Sequence, residues 1–121
     1  MNIDLIQESS SRHEGVTQFP AEIVVEGTPT AETWVTDQFP AEGVVQTGIW
    51  VGEPGKINVP YYPTDEVFTV ITGKIEITNE DGSLVTVNPG ESGRIRKGWK
   101  GIWHVVEKTR KCYVTIGNQT S

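Results

Sequence analysis

Apolar and polar residues alternate along this chain in short bursts, and no stretch of ten or more residues settles into a 3.6-residue period, which predicts strands and little helix. Gly48-Ile49-Trp50-Val51-Gly52 is an apolar run that stops at Glu53-Pro54-Gly55, where a Pro-Gly pair favours a type II turn. Ile57 and Val59 then alternate with polar neighbours ahead of Pro60-Tyr61-Tyr62-Pro63. Glu66–Thr72 and Lys74–Thr78 read as two strands about a break at Gly73, and Asp81-Gly82 turns the chain into Leu84–Val87. Asn88-Pro89-Gly90 makes another turn, leading through Ile95 to Gly98. Ile102–Val106 and Tyr113–Ile116 complete the strands, with the charged run Glu107-Lys108-Thr109-Arg110-Lys111 read as their connection.

The first part of the chain is less patterned. Residues 1–18 include Ser9-Ser10-Ser11 and lack periodicity, which predicts a loosely held arm. Phe19-Pro20-Ala21-Glu22 recurs as Phe39-Pro40-Ala41-Glu42, each copy followed by a Val-Val pair. Two copies do not make a solenoid, and both are expected to enter edge strands from a proline turn. Many short strands without helical crossovers predict an antiparallel, all-β jelly roll, with residues 19–117 as its single domain and residues 118–121 as a tail.

Composition narrows the function classes. With 121 residues, 13 Gly and 7 Pro, the chain suits one ordered, turn-rich domain with its own core. A formal net charge of -6 and scattered Lys and Arg disfavour nucleic acid and anionic membranes as partners. The single Cys112 cannot form an internal disulfide, and no apolar run resembles a signal peptide or a bilayer-crossing segment, so a cytoplasmic location is expected. Asn118-Gln119-Thr120 matches a glycosylation pattern that has no use in that compartment.

The order of motifs over residues 47–116 resembles the cupin superfamily. Its first motif ends in a glutamate followed seven positions later by a glycine, as Glu66 and Gly73 do here, and its second runs from a Pro-Gly turn to a glycine, matched by Pro89-Gly90 and Gly98. Thr47-Gly48-Ile49-Trp50, Asp65-Glu66, Gly98-Trp99-Lys100-Gly101-Ile102-Trp103 and Thr109-Arg110-Lys111-Cys112-Tyr113-Val114 are similar to the small cupins of the ureidoglycine aminohydrolase and ethanolamine-utilisation type. The resemblance implies a single-domain cupin barrel and a homodimer, which would also cover a sheet edge. It also implies three histidines and a glutamate around a divalent ion. Here those histidine positions hold residues from Val59-Pro60-Tyr61-Tyr62 and Gly101, so neither a metal nor another cofactor is expected.

Strand parity then picks out the candidate site. Glu66, Phe68 and Val70 share one face, which the resemblance places inside the barrel, and a carboxylate there needs a partner. Tyr61 or Tyr62 could donate a hydrogen bond to it, and Arg94, Arg96 or Lys100 could bring positive charge. The same parity puts Trp103 inward, filling the space an ion would take, and His104 outward. Arg94 and Arg96 are either solvated or a clamp for an anionic ligand. Tyr61, Tyr62, Phe68, Arg94 and Trp103 are therefore the candidate binding residues, and Glu66 is the candidate catalytic group or a structural anchor. Three functions follow as expectations: a metal-free module binding a small polar metabolite, a hydrolase or isomerase of small nitrogenous metabolites with Glu66 as general acid/base, or a non-catalytic interaction protein.

Overall fold

The computed structural model describes residues 5–41 and 43–117. Among them there is no α-helix. One turn of 3-10 helix, Glu8–Ser10, precedes nine strands: β1 Arg12–Gln18, β2 Val24–Gly27, β3 Thr30–Ala41, β4 Gly43–Gly52, β5 Gly55–Val59, β6 Asp65–Asn79, β7 Leu84–Val87, β8 Ser92–Ile95 and β9 Gly101–Gly117. All pairings are antiparallel, in the order β1-β3-β4-β9-β5-β2, with β6 pairing β7, β8 and β9 off that path. The sheet curls into the all-β jelly roll that the turn spacing predicts.

Two long strands form its spine. β9 is flanked by β6 along its length; on its other side it meets β5 through residues 101–105 and β4 through residues 109–117. The charged run Glu107–Lys111 is thus the middle of one strand and not a connection between two. Gly73 likewise does not end a strand. It bends β6 at φ +93°, where a side chain would run into the Lys108 carbonyl and Thr109. The ladder between β6 and β9 shifts register three times between Val70 and Ile75, which lets the sheet fold over on itself. The buried Thr109 hydroxyl secures this corner: its Oγ1 accepts from the Lys74 N–H at 3.0 Å and donates to the Glu107 carbonyl at 2.8 Å.

The first part of the chain needs a second correction. Residues 12–18, read as part of a loose arm, pair with β3 from Arg12 opposite Val35 to Gln18 opposite Thr30. The two Phe-Pro-Ala copies also differ. The first leads through a turn at Ala21–Ile23 into the edge strand β2, as expected, whereas Phe39-Pro40-Ala41 ends β3 and the second copy leads into β4, an interior strand paired on both sides by β3 and β9. Glu42 and the expected tail at residues 118–121 lie outside the described residues.

The core follows strand parity. Phe68, Val70, Ile75 and Ile77 of β6 pack with Trp103, Val105 and Tyr113 of β9, and Ile57, Val87 and Ile95 close the cluster. Glu66 and Lys111 are buried within the same interior.

Candidate functional site

Glu66 opens the inward face of β6, directly opposite Ile95 on β8 and Thr115 on β9. It is 4% exposed, and each of its oxygens has a partner. Tyr62 Oη donates to Oε1 at 2.5 Å, and Lys111 Nζ donates to Oε2 at 2.6 Å. Of the partners weighed from the sequence, Tyr62 is the one the fold delivers. The loop that carries it is clipped to the neighbouring loop by Tyr62 N–H to the Trp99 carbonyl at 2.9 Å and Gly98 N–H to the Tyr62 carbonyl at 2.8 Å. Tyr61, next in line, is 54% exposed and is not brought to Glu66. Burial pushes the Tyr62 phenol well above its ordinary range, and the Glu66 charge and hydrogen bond push it further, so it stays a donor.

Lys111 is the residue that the sequence reading missed. It is 3% exposed, and its Nζ lies 4.7 Å from the Trp50 ring centroid, 4.6 Å from that of Phe68 and 4.7 Å from that of Trp103. These are cation–π distances. The cage walls are held edge to face: Trp50 and Trp103 are 6.0 Å apart at 89°, and Phe68 and Trp103 are 5.7 Å apart at 67°. Local sequence makes the room. Trp50 sits opposite Lys111 across β4 and β9, and its ring lies over Gly52, while the Phe68 ring lies over Gly93, where a methyl group would collide with it. Parity could have found Lys111, because it is eight residues from the inward Trp103 on one unbroken strand.

Tyr113, two residues further along the same face, accepts from Gln46 Nε2 at 2.7 Å. Burial raises its phenol too, opposed by that hydrogen bond. Trp103 is buried inward and His104 lies on the opposite face with Nδ1 4.0 Å from a Glu76 oxygen, the arrangement that alternation predicts. Cys112 is half-buried, and burial pushes its thiol up, which disfavours the nucleophilic thiolate.

The donors do not suit a divalent ion. Glu66 is the one ligand of the metal-binding pattern present, both its oxygens are engaged, and an ammonium sits 2.6 Å from one of them. Among the described residues no three His, Cys, Asp or Glu side chains gather into a possible metal site.

A cleft of about 390 Å³ opens beside this interior, between β6, β7 and β8. Phe68, Ile77, Val87, Ile95 and Trp99 line its apolar part, and Thr86, Glu91, Ser92 and Arg94 its polar part. Phe68 belongs to both the cleft and the cage. Several polar groups are already committed: Asn79 Oδ1 accepts from Trp99 Nε1 at 3.0 Å, and Glu91 Oε1 accepts from the Asn88 N–H at 2.9 Å. Arg94, opposite Val67 on the outer face of β8, has no acidic partner within 4.0 Å among the described residues. Arg96 borders a second depression with Arg94, Asp65, Val67, Val114 and Ile116, and Glu66 lines its inner side.

Comparison with known proteins agrees with this fold. A family model described as an EutQ-like cupin domain matches residues 40–113. A Pseudomonas syringae protein of unknown function from the DUF861 family has a structure with a TM-score of 0.74 at 22% identity, covering 82% of this chain and 42% of that one. The EutQ protein of Clostridium difficile gives a TM-score of 0.59 at 22% identity, covering 74% of this chain and 64% of its own. A DUF861 protein of Thermotoga maritima is 35% identical over 54% of this chain and 73% of that one, with a TM-score of 0.51. This chain spans less than half of the Pseudomonas protein and under two thirds of the Clostridium one. No curated protein sequence matches it.

Proposed function

Because this chain belongs to the EutQ-like cupin domain family, we propose that it is a binding cupin that takes a small polar metabolite into the cleft between β6, β7 and β8, without a tightly held metal. The cleft carries this reading. Its volume of about 390 Å³ suits a metabolite-sized ligand, and an apolar floor with a few polar groups at the rim is the usual make-up of such sites. The Arg94 guanidinium, which borders the cleft from the outer face of β8 and has no acidic partner among the described residues, favours a ligand with a carboxylate at the rim, whose apolar part would rest on Phe68 and Trp99. Catalysis by Glu66 is the less favoured reading, since a proton shuttle needs a free oxygen and both of its oxygens are engaged.

Titration calorimetry with small carboxylates, amino acids and ureides tests the reading. At least one compound should bind the wild type, and Arg94→Ala should weaken it by about tenfold or more, the scale of a charge-assisted contact, with the melting temperature unchanged. Amide shifts on binding should concentrate at Phe68, Thr86 and Ser92. A panel without a binder, or a binder indifferent to Arg94 whose shifts lie elsewhere, would leave the interaction-protein reading in its place. The homodimer belongs to the same proposal; light scattering at micromolar concentration should give twice the chain mass.

A further inference from the structure

We infer that Glu66, Tyr62 and the rings of Trp50, Phe68 and Trp103 form an ammonium site that Lys111 fills from within, so that the chain carries its own interior cation where metal-binding cupins take up an ion. The Lys111 nitrogen has one hydrogen-bond acceptor among the described residues, Glu66 Oε2, and three π-faces take the place of further acceptors. That is the chemistry of an aromatic cage for organic ammonium ions, closed on one side by a carboxylate. An ion approaching Glu66 would have to displace both the Tyr62 hydroxyl and a positive charge, and no imidazole stands ready to hold it. The side chain is also placed by the fold, between Trp50 on β4 and Val70 on β6 in the cross-strand register. The inference shares the metal-free premise of the proposed function but needs no ligand in the cleft.

Chemical rescue tests it. Lys111→Ala removes three carbons and the ammonium, the atoms of n-propylammonium. Adding n-propylammonium chloride should raise the melting temperature of Lys111→Ala saturably, or restore its folding if the variant is unfolded alone, while leaving the wild type unmoved. Sodium chloride at equal ionic strength and n-propanol should do neither. Rescue by n-propanol to the same extent would reduce the site to a hydrophobic hole and overturn the proposal. If the variant folds under no condition, the wild-type spectrum decides: the Lys111 ε-methylene protons, enclosed by three rings, should resonate far upfield of other lysines and stay there with excess manganese or zinc. An ordinary chemical shift, or a stoichiometric ion that moves it, would refute the inference. Failure of every cleft ligand would not touch it.

Discussion

A buried ion pair is a poor source of stability but a costly one to break, and at the residue scale Lys111 and Glu66 should show both halves of that rule. Lys111→Met, close in volume and neutral, should cost about 3–5 kcal/mol by leaving Glu66 charged and unpaired. Glu66→Gln should cost a similar amount for the mirror reason. The double variant Lys111→Met with Glu66→Gln should lose much less than the sum, and urea denaturation of the four proteins measures the coupling; additive losses would mean that the pair is not one unit. Tyr62 adds a pH dependence. Its phenol is raised in the folded state, so above the ordinary tyrosine value of about 10 the unfolded chain has released a proton that the native protein still holds. Stability is then full below that pH and falls as pH rises beyond it. Tyr62→Phe should flatten the fall in part, with Tyr113 and the Cys112 thiol, both also raised by burial, still contributing to it. From the sequence, Glu66, Phe68 and Trp103 were legible because alternation fixes which face a strand residue takes. Lys111 was not, because a cation that ends a charged run, three residues after Lys108 and next to Arg110, reads as solvent-facing until the strand through it is known to be continuous.

At the scale of elements, the unexpected feature is the joint bend of β6 and β9. A glycine and a run of five polar residues look like two strand ends, yet the ladder continues through both by slipping register around Thr109. Local propensity cannot reveal this, since the polar residues are paid for by hydrogen bonds to a strand distant in sequence. Thr109→Val keeps the shape and deletes the hydroxyl, leaving the Lys74 N–H without its acceptor. It should cost about 1–3 kcal/mol in chemical denaturation, and faster hydrogen exchange at Lys74 would place the loss at the corner. A neutral effect would mean that the bend is held by the glycine alone. The polar pattern of β1 hides a strand for a related reason: it is an edge strand of the sheet with little burial, and only its pairing with β3 marks it as a strand.

For the whole molecule, the fold class was the most legible level, because turn chemistry recurs often enough to exclude helical layers. The pairings themselves join distant parts of the chain: β4 with β9, and β2 with β5. Such topologies fold on the order of milliseconds to seconds, and stopped-flow tryptophan fluorescence should show that range; a submillisecond phase carrying the full amplitude would contradict it. No helix among the described residues is long and apolar enough to cross a membrane. The caged lysine has one further consequence. Divalent sites rank ions by intrinsic affinity, so copper or zinc displaces manganese or iron whenever supply allows. A charge that is part of the polypeptide is loaded at translation, cannot be stripped by a chelator and is never filled by the wrong element.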